Sequence, residues 1–371
     1  MPTPGSFLGI DLGAGSIKLV ELRNEQGRAR LVTYGMYEVP VGSVHDNNWS
    51  QRREQAVSVI KKLLEQTNAQ SRLVVSALPT FEVFSSLITV PALAPKELAN
   101  AIRLEAKKVV PRPLDEMVLE WNELGEAEKT TPTKQEGAEE EELGTITNVK
   151  KTEQKKILLT AAPKELVDGY VSIFKEAGLR LIGLETEAIA LSRSLIGRDP
   201  SVVMVVDMGA QSTNLSIIEQ GIAVVNRGVN FGGSQLTEKF AEKMGVDVGM
   251  ADQWKHDVSF TSTGGKLSPV LVGMLDDILH EIRYLFQLYR SQLKPNDPSG
   301  NAGVEKIIMA GGSSFVPGLA EYLAEQLNVP VHLGDPWARI IYPEDLSTVL
   351  AQYGPSMAVS IGLAMREIVP K

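Results

Sequence analysis

The sequence predicts an α/β protein made of two related halves, with a small α+β unit inserted into the first. Three observations predict it. A nine-residue motif occurs twice: Asp-Leu-Gly-Ala-Gly-Ser-Ile-Lys-Leu at 11–19 and Asp-Met-Gly-Ala-Gln-Ser-Thr-Asn-Leu at 207–215, with Asp, Gly, Ala, Ser and Leu at matching offsets. Each half also carries a helix rich in small residues, Glu187–Leu195 and Ser356–Ile368. Between the two motifs, residues 73–177 have a periodicity of their own. The 371 residues are enough for two or three domains.

The elements follow in order. Apolar residues precede each motif (Phe7, Leu8, Ile10; Val202 to Val206), and alternation resumes after it (Ile17, Leu19; Leu215, Ile217), so each copy reads as a strand–turn–strand hairpin. Leu73–Leu78 is a short apolar run, and Phe81–Val90 reads as a second strand. Pro95 opens a helix whose Leu98, Ala101, Ile102, Ala106 and Val109 recur at helical spacing, and Pro111 and Pro113 stop it. Lys164–Gly178 reads as another amphipathic helix. From Glu126 to Lys156 the chain has almost no apolar residues and carries the run Glu139–Glu142, the composition of a flexible acidic loop between two strands; a solvated connector is expected, a binding role being the alternative. The expected division is 1–72 for the start of the first lobe, 73–177 for the inserted unit, 178–201 for a connecting region, 202–349 for the second lobe and 350–371 for a second connecting helix.

Composition excludes several chemistries. There is no cysteine, and the four histidines are scattered, so thiol chemistry, disulfides and His/Cys metal centres are not expected. A net charge of −9 argues against nucleic acid as a partner. No apolar run approaches the roughly 20 residues of a membrane span, and Met1–Ser6 is no signal peptide, so a cytoplasmic protein without direct membrane insertion is expected.

Two Gly-containing turns facing one centre would present backbone N–H groups as a nest for phosphate oxygens. The turn residues are Gly13, Ala14, Gly15 and Ser16 in the first copy and Gly209, Gln211, Ser212 and Thr213 in the second. Asp11 and Asp207 end the strands before them and would repel phosphate unless a divalent cation lay between, which is how Mg²⁺ is held by few protein oxygens. Ser16, Ser212 and Thr213 add hydroxyls, and Lys18 adds a cation. Ordinary hairpin turns would account for one copy alone; two matched copies favour the phosphate reading. No Rossmann or P-loop context exists, since strand rather than helix follows the first turn and Gly265-Lys266 is followed by Leu267. Gly311, Gly312 and Ser313 follow the apolar strand Ile307–Ala310, where a flat ligand could approach the backbone. Gly232 and Gly233 precede a helix bearing Lys239, which either faces a nucleotide or is a capped core helix. Glu187 is the candidate to orient an attacking water; a surface glutamate is the alternative.

The order of five segments resembles the actin-like ATPase superfamily of actin, heat-shock-70 chaperones, sugar kinases and the division protein FtsA. These are a first phosphate hairpin (8–22), a first connecting helix (184–195), a second phosphate hairpin (202–218), an adenosine motif (307–317) and a second connecting helix (354–365). Within it the chain most resembles the PilM family of type IV pilus assembly, through its opening Gly-Ile-Asp-Leu-Gly-Ala-Gly-Ser-Ile-Lys-Leu-Val-Glu-Leu and through Ala101–Pro111 continuing past Leu114-Asp115-Glu116-Met117 to Trp121. The resemblance implies an actin-like two-lobed ATPase fold with duplicated RNase H-like halves, ATP with Mg²⁺ in the cleft, and a PilN-like membrane protein whose cytoplasmic tail docks between the inserted subdomain and the first half, alongside other pilus platform proteins. Relatives that end in a basic amphipathic helix contrast with this chain, which stops at Lys371, so a place at the inner membrane through a partner is expected. Glu187-Ala188 replaces a common Glu-Pro pair and Ser313 replaces a third glycine, which implies at most a slow ATPase. A sugar or acid kinase of the same superfamily and an FtsA-like division filament are the alternatives.

Overall fold

Among the described residues, the strands sort into two five-stranded sheets, one three-stranded sheet and one two-stranded pair. A computed structural model describes residues 5–39, 49–126, 154–257, 262–263, 266–293 and 303–368; residues 127–153 of the expected acidic loop lie outside the described residues. The first part of the chain runs β1 (Ser6–Leu12), β2 (Ser16–Glu25), β3 (Arg28–Glu38), α1 (Trp49–Gln66), β4 (Leu73–Leu78), β5 (Phe84–Pro91), α2 (Pro95–Val109), β6 (Met117–Glu126), β7 (Gln154–Pro163), α3 (Lys164–Glu176), β8 (Arg180–Thr186) and α4 (Glu187–Leu191). The second runs β9 (Val203–Met208), β10 (Thr213–Glu219), β11 (Ile222–Val229), α5 (Gly233–Met244), the two-residue strands β12 (Ser262–Thr263) and β13 (Lys266–Leu267), β14 (Lys306–Ala310) and β15 (Val331–Leu333), and ends in the helix Gly354–Ala364.

The two large sheets have the same plan. The first has the order β3-β2-β1-β4-β8 and the second β11-β10-β9-β14-β15. In each, three antiparallel strands are followed by two parallel ones: β1 pairs antiparallel with β2 and parallel with β4, while β9 pairs antiparallel with β10 and parallel with β14. The central strands are apolar on both faces, as parallel strands covered on both sides require; every residue of β9 is buried.

Two helices cross between the sheets. Ala188, Ala190 and Leu191 of α4 pack with Ala358, Val359 and Leu363 of Gly354–Ala364, against Val75 and Ala77 from one sheet and Val203 and Val205 from the other. Small residues set the approach: a Cβ on Gly362 would lie 2.0 Å from the Ala190 carbonyl oxygen. The helix expected over Glu187–Leu195 is α-helical only to Leu191 and continues as a π-helical turn, Ser192–Ile196, closed by the Gly197 amide on the Ser192 carbonyl at 2.8 Å.

The chain divides into two units, one of Met1–Val83 with Glu165–Lys371 and one of Phe84–Lys164. This corrects the expected inserted span of 73–177 at both ends. Leu73–Leu78 has five of its six residues buried and is the fourth strand of the first sheet, because an apolar run without alternation needs cover on both faces. Nearly all of α3 likewise belongs to the larger unit. The smaller unit is a sheet of order β5-β7-β6 with α2 across one face. Leu98, Ile102 and Ala106 of α2 form its core with Ile88, Val90, Met117, Ile157, Leu159 and Ala161.

Candidate functional site

Hairpin register builds the site. Asp11 pairs with Lys18 across the β1/β2 ladder, and directly paired residues share a face. Lys18 Nζ therefore donates to Asp11 Oδ2 at 2.9 Å, with both side chains nearly buried. In the second hairpin Asp207 pairs with Asn214, so Asn214 holds the place that Lys18 holds in the first copy. The tips of the two turns meet: a Cβ on Gly15 would come within 2.4 Å of the Ala210 Cβ, which only a glycine permits. Among the described residues, the amides of Ala14 and Gly15 in one turn and Gln211 and Ser212 in the other have no protein acceptor.

Glu187, the first residue of α4, is no surface glutamate. Its Oε2 accepts from the Thr80 amide (3.1 Å), the Thr80 hydroxyl (2.8 Å) and Asn214 Nδ2 (2.7 Å). Burial, then the charges of Asp207 and Asp11, push its carboxyl up to about 8 against the pull of the Thr80 bonds. Burial likewise raises Asp207 to about 6, with Lys18 opposing, Asp11 adding to the rise and the Asn214 hydrogen bond lowering it. Burial alone would lower Lys18, but Asp11 above all, with Asp207 and Glu187, holds it above the usual lysine value. Three acidic groups and one lysine thus share one desolvated field between the hairpins.

The other expected residues divide. Gly311, at φ 83°, lies against the Met208 carbonyl and the Asp207 carboxylate, where a Cβ would be 2.7 Å from Oδ1. Ser313 Oγ donates to the Gly209 carbonyl at 3.2 Å, and Gly312 lies beside Ser356. This third glycine cluster therefore abuts the second hairpin. Gly232 and Gly233 are adjacent too, but their amides are used within the protein. The Gly233 amide donates to the Gly209 carbonyl (2.9 Å), the Ser234 amide to the Ala210 carbonyl (2.8 Å) and the Gly232 amide to Gln235 Oε1 (3.0 Å). These bonds tie the start of α5 to the second hairpin. Two expectations need correction. Thr213 is fully buried and its hydroxyl donates inward to the Phe231 carbonyl at 2.7 Å, so it is no donor to a ligand. Lys239 Nζ lies over the Phe231 ring, 5.2 Å from its centroid, rather than with the aspartates.

Three residues were missed. Thr80 and Asn214 fix Glu187, and Tyr170 of α3 has its phenol raised by burial first and then by Glu187, Asp11 and Glu82. Asn214 was legible as the repeat counterpart of Lys18. Thr80 and Tyr170 carry no local signal.

Asp11 and Asp207 offer hard oxygen donors, and among the described residues no cluster of three or more ligating side chains exists. That donor set fits a hard divalent cation that keeps most of its water. Free amides at the turn tips, with Lys18 beside them, suit an anion.

Two α/β lobes of one plan, meeting at twin hairpins over a shared acidic cluster, define a protein of the two-lobed actin-like class. A family model described as type IV pilus assembly protein PilM matches residues 9–137 and 142–368, and the chain belongs to that family. A solved structure described as the PilM-PilN type IV pilus biogenesis complex is 27% identical, with a TM-score of 0.78 over 98% of this chain and 98% of that one. The ethanolamine utilization protein EutJ from Carboxydothermus hydrogenoformans, 15% identical with a TM-score of 0.51 over 98% of this chain and 91% of its own, is a likeness of fold. Among the described residues, no helix is long and apolar enough to cross a membrane.

Proposed function

We propose that the chain is a nucleotide-binding scaffold of type IV pilus assembly that takes ATP with Mg²⁺ between its hairpins and binds the cytoplasmic tail of a PilN-like membrane protein. The observation that carries the nucleotide reading is the matched pair of hairpins, with Asp11, Lys18, Asp207 and Glu187 in one desolvated cluster. The partner reading rests on family membership and on the likeness to a complex that contains PilN.

In this reading Asp11 and Asp207 hold the cation, and the free amides of Ala14, Gly15, Gln211 and Ser212 receive phosphate oxygens. Lys18, already raised and charged, keeps the anion beside two carboxylates. Bound Mg²⁺ would supply charge neutralisation at the phosphates. In the unliganded protein Glu187, with its carboxyl near 8, is largely protonated at neutral pH, and its Oε2 already accepts three hydrogen bonds.

Isothermal titration of Mg-ATP tests this. Asp11→Ala and Asp207→Ala are each expected to weaken binding at least about tenfold, the scale of one lost charge-assisted contact. Unchanged affinity in both variants would sink the nucleotide reading. Titration of a PilN tail peptide tests the partner separately, and no binding to the unmodified protein would reject it.

A further inference from the structure

The smaller unit carries a cavity lined by none of the residues of the hairpin site. It has a volume of about 510 Å³ and is lined by Arg103, Lys107, Arg112, Pro113, Leu114 and Asp115. Arg103 and Lys107 stand four residues apart on α2 and share its outer face, while Arg112 comes from the segment after the helix has ended. Three cations against one carboxylate make this a basic site on a chain whose net charge is −9.

The neighbouring charges sharpen the point. Lys108 is paired with Glu105 at 2.6 Å, whereas among the described residues Arg103, Lys107 and Arg112 have neither an ion pair nor a side-chain hydrogen bond. The helix dipole accounts for a cation in the last turn. It does not account for Arg112, which lies past the end, or for Arg103, more than a turn before it. Like charges gathered without a counterion repel, and two guanidinium forks with an ammonium match the oxygens of a phosphate. Leu104, the residue after Arg103 in α2, is 60% exposed. An apolar side chain among basic ones is suited to the boundary of an anionic bilayer rather than to a free ion in water.

We propose that this cavity binds the phosphate of an anionic phospholipid headgroup, holding the smaller unit against a lipid surface through peripheral contact. The site is independent of the hairpins, so it stands or falls apart from the nucleotide reading.

The test is co-sedimentation of the full chain with vesicles of phosphatidylglycerol and phosphatidylcholine in equal parts, beside vesicles of phosphatidylcholine alone. Binding is expected only to the anionic vesicles and is expected to fall as salt rises. The triple variant Arg103→Gln/Lys107→Gln/Arg112→Gln is expected to bind on the order of a hundredfold more weakly, since each cation near an anionic surface adds about fivefold. A control that removes equal charge elsewhere, Lys96→Gln/Lys175→Gln/Arg180→Gln, is expected to change binding by no more than about threefold. All six side chains are exposed, and matching melting temperatures would show that the variants fold. Three results would overturn the proposal: no binding to anionic vesicles, equal loss in the control, or binding at these residues of inorganic phosphate or a glutamate-rich peptide without any binding of vesicles.

Discussion

Glu187 concentrates the physical conflict of the site in one side chain. Its carboxyl lies near 8 in the folded protein, against an ordinary 4.5. Below pH 4.5 both folded and unfolded chains hold the proton, and the site costs nothing. Between 4.5 and 8 only the folded chain holds it, so stability falls as pH rises through this window, and above 8 the folded protein bears a buried, repelled carboxylate in full. Glu187→Gln keeps the shape of the protonated form and removes the titration. Denaturation at about pH 5 is expected to find the variant and the parent alike, and at about pH 9 the variant is expected to be more stable, on the order of 2 kcal/mol. A parent whose stability is flat over that range would show that Glu187 is not raised. Asp207 makes the complementary case. With its carboxyl near 6, it must release a proton before it can ligate a cation, so Mg²⁺ affinity is expected to weaken as pH drops through 6, with proton release on binding measurable in buffers of different ionisation enthalpy.

At the scale of elements, the crossing of α4 with the helix Gly354–Ala364 joins the two sheets. Gly362 faces the Ala190 carbonyl so closely that any side chain must push the helices apart, and the Arg193 guanidinium also donates to the Gly362 carbonyl at 2.5 Å. Gly362→Val is expected to cost about 2–4 kcal/mol, read as a lower urea midpoint; an unchanged midpoint would mean that the crossing yields freely. Much at this scale was legible in the sequence. The hairpins could be read because the motif recurs and because period-two alternation resumes after each turn. The helix Pro95–Val109 was bounded by its own prolines. What failed to show was long-range. Leu73–Leu78 carries an apolar run that fits any buried strand, and only pairing with β1 and β8 assigns it to the first sheet. Thr80 reaches Glu187 across 107 residues, a contact that no local pattern encodes. Thr213 looked like a ligand donor because it brings a hydroxyl to the second turn, yet β10 buries it completely.

For the whole molecule, the decisive fact is how the smaller unit leaves and rejoins the chain. Its first residue, Phe84, pairs with Ala161 of β7, so the entering and departing strands run side by side and the two ends of the insertion are neighbours. The apolar clusters around β9 to β11, around the crossing of α4 and around Trp337 draw on no residue of 84–164, and the cluster under α2 draws on nothing outside it. Replacing 84–164 with a short Gly-Ser linker should therefore open no cavity in those three clusters. Such a loop closure costs little, because closure entropy grows only with the logarithm of length. The shortened chain is expected to unfold cooperatively and to keep its Mg-ATP affinity within about threefold, while losing the vesicle binding assigned to Arg103, Lys107 and Arg112. Calorimetry with titration of Mg-ATP checks the first two, and co-sedimentation checks the third. A shortened chain that folds and still binds anionic vesicles as well as the parent would locate lipid contact on the lobes, and one that folds but has lost Mg-ATP would make the smaller unit part of the nucleotide site.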